Sequence, residues 1–188
     1  MDMIHYSVLM EHNEESLLDL AHMQYDLFCQ SNRIGRSVLS FAALIVGVLN
    51  YSKWWGILLI FYGSYIGSSK YAAANHTARK LAKQLKAANM PFPSSNYVFR
   101  DQEMEIITLP ERKTFATLKY AQVRRMGENA DHFFLFRDQY GGYMIPKEEL
   151  GDRVDDFRTF VEKKTGQPFR KRKAPMVRVM DFFRHRRG

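Results

Sequence analysis

Cysteine is almost absent from this chain. Cys29 is the single one, which excludes an intrachain disulfide and fits a reducing compartment. Proline is scarce too, with 6 in 188 residues, and half of them fall at Pro91, Pro93 and Pro110. Long stretches before residue 90 are therefore open to uninterrupted helix. Motifs that announce a reaction are also missing. There is no HExxH pair, no phosphate-cradling glycine loop after a strand and no GxSxG elbow. The histidines His5, His12, His22, His76, His132 and His185 lack a cysteine or acidic neighbour at metal-ligand spacing, so no metal or cofactor is expected. Asp155-Asp156 and Glu148-Glu149 are the only paired carboxylates worth weighing. The former fall on the outer side of a helix pattern, where a solvated face is the simpler reading. Cys29 precedes an apolar segment, a position that can accept acylation, although an inert thiol is the plainer reading.

Charge of one sign is unevenly distributed. The net charge is +8. After Pro168 the chain holds Arg170, Lys171, Arg172, Lys173, Arg178, Arg184, Arg186 and Arg187 against Asp181 alone, and the rest is close to neutral. The basic character belongs to the tail, so it does not mark a nucleic-acid-binding domain. The tail reads as a segment for an anionic lipid surface, with a short helix over 176–186 adding Met180, Phe182 and Phe183. A solvated tail and RNA binding are the competing readings.

What is present in abundance is apolar sequence between Ser37 and Ser69, with Lys53 as its one charge. A crossing helix needs about 20 apolar residues. The stretch divides at Asn50–Lys53 into two short halves. The expectation is a transmembrane helical hairpin near 34–51 and 54–69, with Lys53, Trp54 and Trp55 as interfacial anchors. One long tilted span is the runner-up, and a buried core hairpin is the remaining alternative. Gly63 and Gly67 would let the helices approach closely. Arg33, Arg36, Lys70, Arg79, Lys80, Lys83 and Lys86 flank the open end, which predicts both termini in the cytoplasm and an inner-membrane location. The N-terminus, MDMIHYS, has no cleavable-signal pattern.

Periodicity sets the remaining parts. Residues 1–13 carry a short strand, and 14–90 read as the hairpin with helical extensions. Acidic Asp19 and Asp26 on one arm would face Arg79, Lys83 and Lys86 on the other. From Ser94 the period becomes alternating, with strands expected at 97–100, 104–109, 113–119, 122–126, 132–137 and 143–145. A closing helix follows over 147–165, stopped by Gly166 at a left-handed position. Residues 94–166 thus form one small antiparallel β domain with a closing helix, and 167–188 the basic tail. The expected fold class is an α+β membrane protein.

This order of parts resembles the YcxB-like family of bacterial membrane proteins. The likeness rests on the N-terminal strand, the paired apolar helices and the block from about Tyr97 to Thr165. Within that block it rests on Leu118-Lys119-Tyr120-Ala121-Gln122-Val123, His132-Phe133-Phe134-Leu135-Phe136 and Met144-Ile145-Pro146-Lys147. Tyr120 stands where that family usually has tryptophan. The resemblance implies a pleckstrin-homology-like domain and carries no established reaction. The expected function is a non-enzymatic, membrane-anchored binding module for lipid headgroups or a protein partner. The alternative is an accessory subunit of a membrane transport or envelope-synthesis complex. The expected partners are the lipid bilayer, with anionic headgroups, and an unidentified protein, not nucleic acid. The oligomeric state is not legible.

Overall fold

The computed structural model describes residues 3–111 and 113–171. The chain divides into two compact units, one formed by both ends (1–12 and 93–188) and one by Asn13–Phe92.

The first unit is built from two four-stranded sheets and a helix. In the first sheet the order is β1 (Tyr6–Glu11), β2 (Ser94–Phe99), β3 (Glu103–Leu109) and β4 (Lys113–Lys119), all antiparallel. Alternation drives it: Val8, Met10, Tyr97, Phe99, Met104, Ile106 and Leu118 are buried at period-two positions. β1 reaches across the whole helical segment to pair with β2, with Tyr6 opposite Phe99 and Glu11 opposite Ser94. The second sheet has the order β7 (Gly142–Pro146), β6 (His132–Phe136), β5 (Arg125–Glu128) and β8 (Arg170–Lys171), and β8 lies parallel to β5. Helix α5 (Val154–Thr165) closes this unit. It is preceded by a 3-10 stretch over Glu148–Arg153, where Gly151 adopts φ 53°, a conformation that disfavours side chains. It ends at Gly166 with φ 68°, whose N–H donates to the Glu162 carbonyl. Phe157 is the meeting point of the layers. Its ring lies edge-on to Tyr6 at 5.1 Å and to Phe99 at 4.9 Å, and 5.3 Å from Phe133.

The second unit is helical: α1 (Glu14–Phe28), α2 (Gln30–Leu49), α3 (Trp54–Ser68) and α4 (Ala72–Ala87). Asn13 starts α1 by a reciprocal cap, in which its side chain accepts from the Ser16 N–H and its own N–H donates to Ser16 Oγ, both at 2.8 Å. α1 packs on α4 through Leu17, Ala78 and Ala82, with Leu18, Ala21 and Phe92 around them. An ion pair between these arms joins Lys86 to Glu14 at 2.5 Å. Asp26 accepts hydrogen bonds from the Tyr71 hydroxyl at 3.0 Å.

The transmembrane expectation is corrected here. Among the described residues no helix is long and apolar enough to cross a membrane. α3 has 15 residues, about 22 Å at 1.5 Å per residue, against about 30 Å of hydrocarbon. α2 has 20 residues, but its first turns carry Gln30, Ser31, Asn32, Arg33 and Arg36. A turn at Tyr51–Lys53 separates the two helices, which also removes the single long span. The expected inner-membrane location, with cytoplasmic termini read from flanking charge, loses its basis with the crossing helices. The fold class is α+β, without its membrane-spanning part. The single sheet expected from alternation is two sheets. Tyr120–Gln122 forms a 3-10 turn between them, which displaces the strand expected at 122–126 to 125–128.

Candidate functional site

The most unusual surface is the α2–α3 hairpin. Its seam is lined by small residues: Ser40, Ala43 and Gly47 on α2, and Gly56 and Gly63 on α3, are buried. A side chain at Gly63 would bring Cβ to 2.9 Å from the Ser40 carbonyl, and one at Gly47 to 2.9 Å from the Gly56 carbonyl. Ser40 Oγ donates to the Gly63 carbonyl at 2.7 Å. The small residues thus allow backbone-to-backbone contact. The large residues face the other way. Of the 22 exposed large apolar side chains described, 15 lie between Ile34 and Tyr65. Phe41, Trp54 and Phe61 are each about 70% exposed or more. An ordinary hairpin in water would invert this arrangement.

The predicted anchors sit at the tip. Lys53 precedes α3 in extended conformation and places its ammonium 5.6 Å from the centre of the Trp55 ring. Trp54 beside it is exposed and Trp55 half-buried. At the open end a shallow groove is lined by Arg36, Leu39, Tyr62, Tyr65, Ile66 and Ser69. Arg36 Nη1 donates to the Ser69 carbonyl at 3.4 Å. The hairpin therefore carries a polar, aromatic fringe at both ends of an apolar waist.

Of the predicted tail residues, Arg170 and Lys171 form β8 and are exposed. Arg172, Lys173, Arg178, Arg184, Arg186 and Arg187, with the expected tail helix, lie outside the described residues.

Two polar clusters stand out in the sheet unit. In the first, Glu128 on β5 is 2% exposed. Its Oε2 accepts from Lys147 at 3.3 Å and from Arg158 Nη2 at 3.0 Å and Nε at 3.2 Å. Both cations also lie against the Phe133 ring, at 4.7 and 5.4 Å. Arg158 bonds Asp155 as well. A buried carboxylate needs such partners, because an uncompensated charge there is costly. In the second cluster, Asp101 in the β2–β3 turn meets His5 Nε2 at 2.8 Å and Lys164 at 3.4 Å. Lys164 also donates to the Asp101 carbonyl at 2.7 Å. The hydrogen bond from His5, helped by Lys164, holds the Asp101 carboxyl below the usual range. Tyr120 donates to the Arg100 carbonyl at 2.7 Å, and burial pushes its hydroxyl upward. These contacts tie β1, the β2–β3 turn and α5 together. Asp155 and Asp156 are exposed on α5, as the sequence suggests. Among the described residues no group of three or more His, Cys, Asp or Glu side chains is arranged to hold a metal.

The family model described as YcxB-like protein matches residues 104–161, which bears out the resemblance drawn from the sequence. This chain carries a YcxB-like segment. No curated protein matches the chain. The YcxB-like segment runs from β3 into α5 and contains Glu128, Phe133, Lys147, Phe157 and Arg158. The hairpin, β1 and β8 fall outside it. Glu128 is the residue that sequence reading missed. It stands in Gly127-Glu128-Asn129, which has the composition of a turn, and a single charge carries no signal of burial. Its partners Lys147 and Arg158 lie 19 and 30 residues away.

Proposed function

We propose that this chain is a non-catalytic binding module and that the hairpin is its attachment surface, directed to lipid. The observation that supports this reading is the inverted hairpin: small residues fill the seam and large apolar ones face outward. Water does not stabilise such a surface. At about 25 cal/mol per Å², covering even a few of these side chains contributes several kcal/mol. The fringe favours lipid over an apolar protein face. Trp54, Trp55 and Lys53 at one end, and Arg36, Tyr62 and Tyr65 at the other, have the chemistry of a headgroup boundary. The reading requires contact with acyl chains and does not require a crossing helix.

Flotation of the full chain with vesicles tests it. The protein should rise with the vesicles, and paired Phe41→Ser and Phe61→Ser changes should leave it at the bottom of the gradient. A detergent-free, monodisperse assembly that ignores both neutral and anionic vesicles would transfer the surface to a protein partner.

A further inference from the structure

Carboxylates are missing from one long continuous part of this chain. Between Asp26 and Asp101 there is no aspartate or glutamate. The cations of α4 are balanced from outside that stretch. Lys86 bonds Glu14 on α1, and this hydrogen bond, with Arg79 and Lys83 adding to it, holds the Glu14 carboxyl below its usual range. Arg36 on α2 has no such balance. Among the described residues its one polar contact is the Ser69 carbonyl at 3.4 Å, the long end of a hydrogen bond. A guanidinium carries several N–H donors in a planar fork, so most of its capacity is open.

That guanidinium borders a groove of defined shape. Arg36 and Leu39 lie one turn apart on α2, and Tyr62, Tyr65 and Ile66 follow one face of α3 to Ser69 in the 3-10 turn after it. Together they wall a volume of about 350 Å³. Sites for small ligands run from about 300 to 1,000 Å³. Arg36 and Ser69 bring the polar atoms, and the remaining walls are aromatic and aliphatic. One turn before Tyr62, Leu58 continues the same face toward the apolar waist and is 56% exposed.

We propose that this groove is a headgroup site for an anionic phospholipid. The inference rests on the reading of the hairpin as a lipid-attachment surface, and adds which lipid is chosen and by which residue. The phosphodiester oxygens take the Arg36 fork, whose planar geometry suits them. The first acyl carbons lie on Leu39, Tyr62 and Ile66, and the chain leaves along Leu58. The missing carboxylates supply the selectivity. A zwitterionic headgroup brings an ammonium beside its phosphate, and the hairpin offers that ammonium no acidic side chain. A headgroup of net negative charge needs none. Diffuse attraction of basic residues to an anionic surface is a different effect, because it follows charge alone and does not separate arginine from lysine.

The test floats the full chain with vesicles of phosphatidylcholine, alone or mixed with phosphatidylglycerol. The unchanged chain should bind the mixed vesicles at least about tenfold more tightly. Arg36→Lys keeps the charge and loses the fork. It should weaken binding to the mixed vesicles about tenfold and leave binding to phosphatidylcholine as it was. Arg137→Lys, the same exchange at an exposed arginine of the sheet unit, should change neither. Equal binding of the unchanged chain to both kinds of vesicle overturns the headgroup site and leaves the attachment reading standing. So does an Arg36→Lys chain that binds the mixed vesicles as tightly as the unchanged one, which assigns the preference to diffuse charge, or one that loses equally on both kinds. A chain that floats with neither kind overturns both readings. Inorganic phosphate, titrated into the unchanged chain by calorimetry, separates a soluble ligand from a lipid. No binding that depends on Arg36 is expected, and binding that Arg36→Lys abolishes overturns the lipid assignment.

Discussion

Replacing Phe157 tests how the sheet unit holds together. The ring is fully buried and touches Tyr6 and Phe99 from the first sheet and Phe133 from the second. Truncation to alanine removes the transfer free energy of the ring and leaves a cavity that two separately anchored sheets cannot easily close. The expected loss is about 3–5 kcal/mol. That is a large share of the roughly 5–15 kcal/mol that a domain possesses. Each kcal/mol corresponds to about 4–8 °C in melting temperature at this size. Phe157→Leu keeps most of the volume and should cost about 1 kcal/mol. The helical unit has its own contacts, so global unfolding curves alone would mix two transitions. Hydrogen exchange of the β6 amides, Phe133–Phe136, reads the sheet unit by itself. Their protection should fall by at least about a hundredfold in Phe157→Ala, since about 1.4 kcal/mol is tenfold. A loss below about 1.5 kcal/mol for alanine would refute the view that this ring joins the two sheets.

Two further outcomes follow from contacts elsewhere. Gly63→Leu should force α2 and α3 apart, because its Cβ would sit 2.9 Å from the Ser40 carbonyl. Spin labels on the two helices should separate measurably and the hairpin should lose about 1–3 kcal/mol, whereas Gly35→Leu, with nothing within 4 Å, should leave the distance unchanged. His12 supplies a pH dependence. Burial, with a smaller contribution from His132, holds its folded-state pKa below the ordinary value of 6.5. The folded state therefore binds fewer protons than the unfolded one. The penalty is absent well above pH 6.5 and grows as pH falls through it, until the folded imidazole also protonates. Denaturation midpoints of the unchanged chain should drop between about pH 7 and 5, and His12→Gln should flatten that slope. An identical slope in the variant would remove His12 from the account.

Alternation made most strands legible. Ile106, Met104 and Leu118 bury at alternate positions, and β3 and β4 fall on or within a residue of where period two puts them. The stop at Gly166 was equally visible, since few residues other than glycine adopt its φ of 68°. Hydropathy was misleading in one respect. It reported that residues 37–69 are apolar, which is true, and the turn at Asn50–Lys53 was visible too. The halves already read as short, and the structure makes one shorter still: with 15 residues, α3 lies below the span of a hydrocarbon layer. The seam glycines illustrate a related limit. Gly63 was read as a contact residue, but Gly47 and Gly56 form equally close approaches that depend on the register of the turn. The attachment of residues 167–171 was not legible at all. Two residues carry no period, and a parallel strand next to β5 depends on tertiary placement alone. Glu128 was hidden for the same reason, because its burial is set by α5 and β7 rather than by its neighbours in sequence.

The pairing of β1 with β2 has a consequence for the order of events during synthesis. Tyr6 and Phe99 are ladder partners, yet the ribosome makes one long before the other. At about 5–20 residues per second the first strand waits several seconds without its neighbour. Met3, Ile4 and Leu9, still exposed in the finished fold, and Val8 and Met10, buried in it, are all uncovered during that interval. The intervening helices shorten the wait in another sense. Once α1 has packed on α4 through Leu17, Ala78 and Ala82, the ends of the 13–92 segment are brought together, and His12 can donate to the Pro93 carbonyl at 3.0 Å. Closing an unstructured loop of that length would cost entropy that a preassembled helical segment has already given up. The helical unit is thus a timer for the sheet: a fault in α1 or α4 would delay β1 and expose an apolar strand while nothing in it had changed.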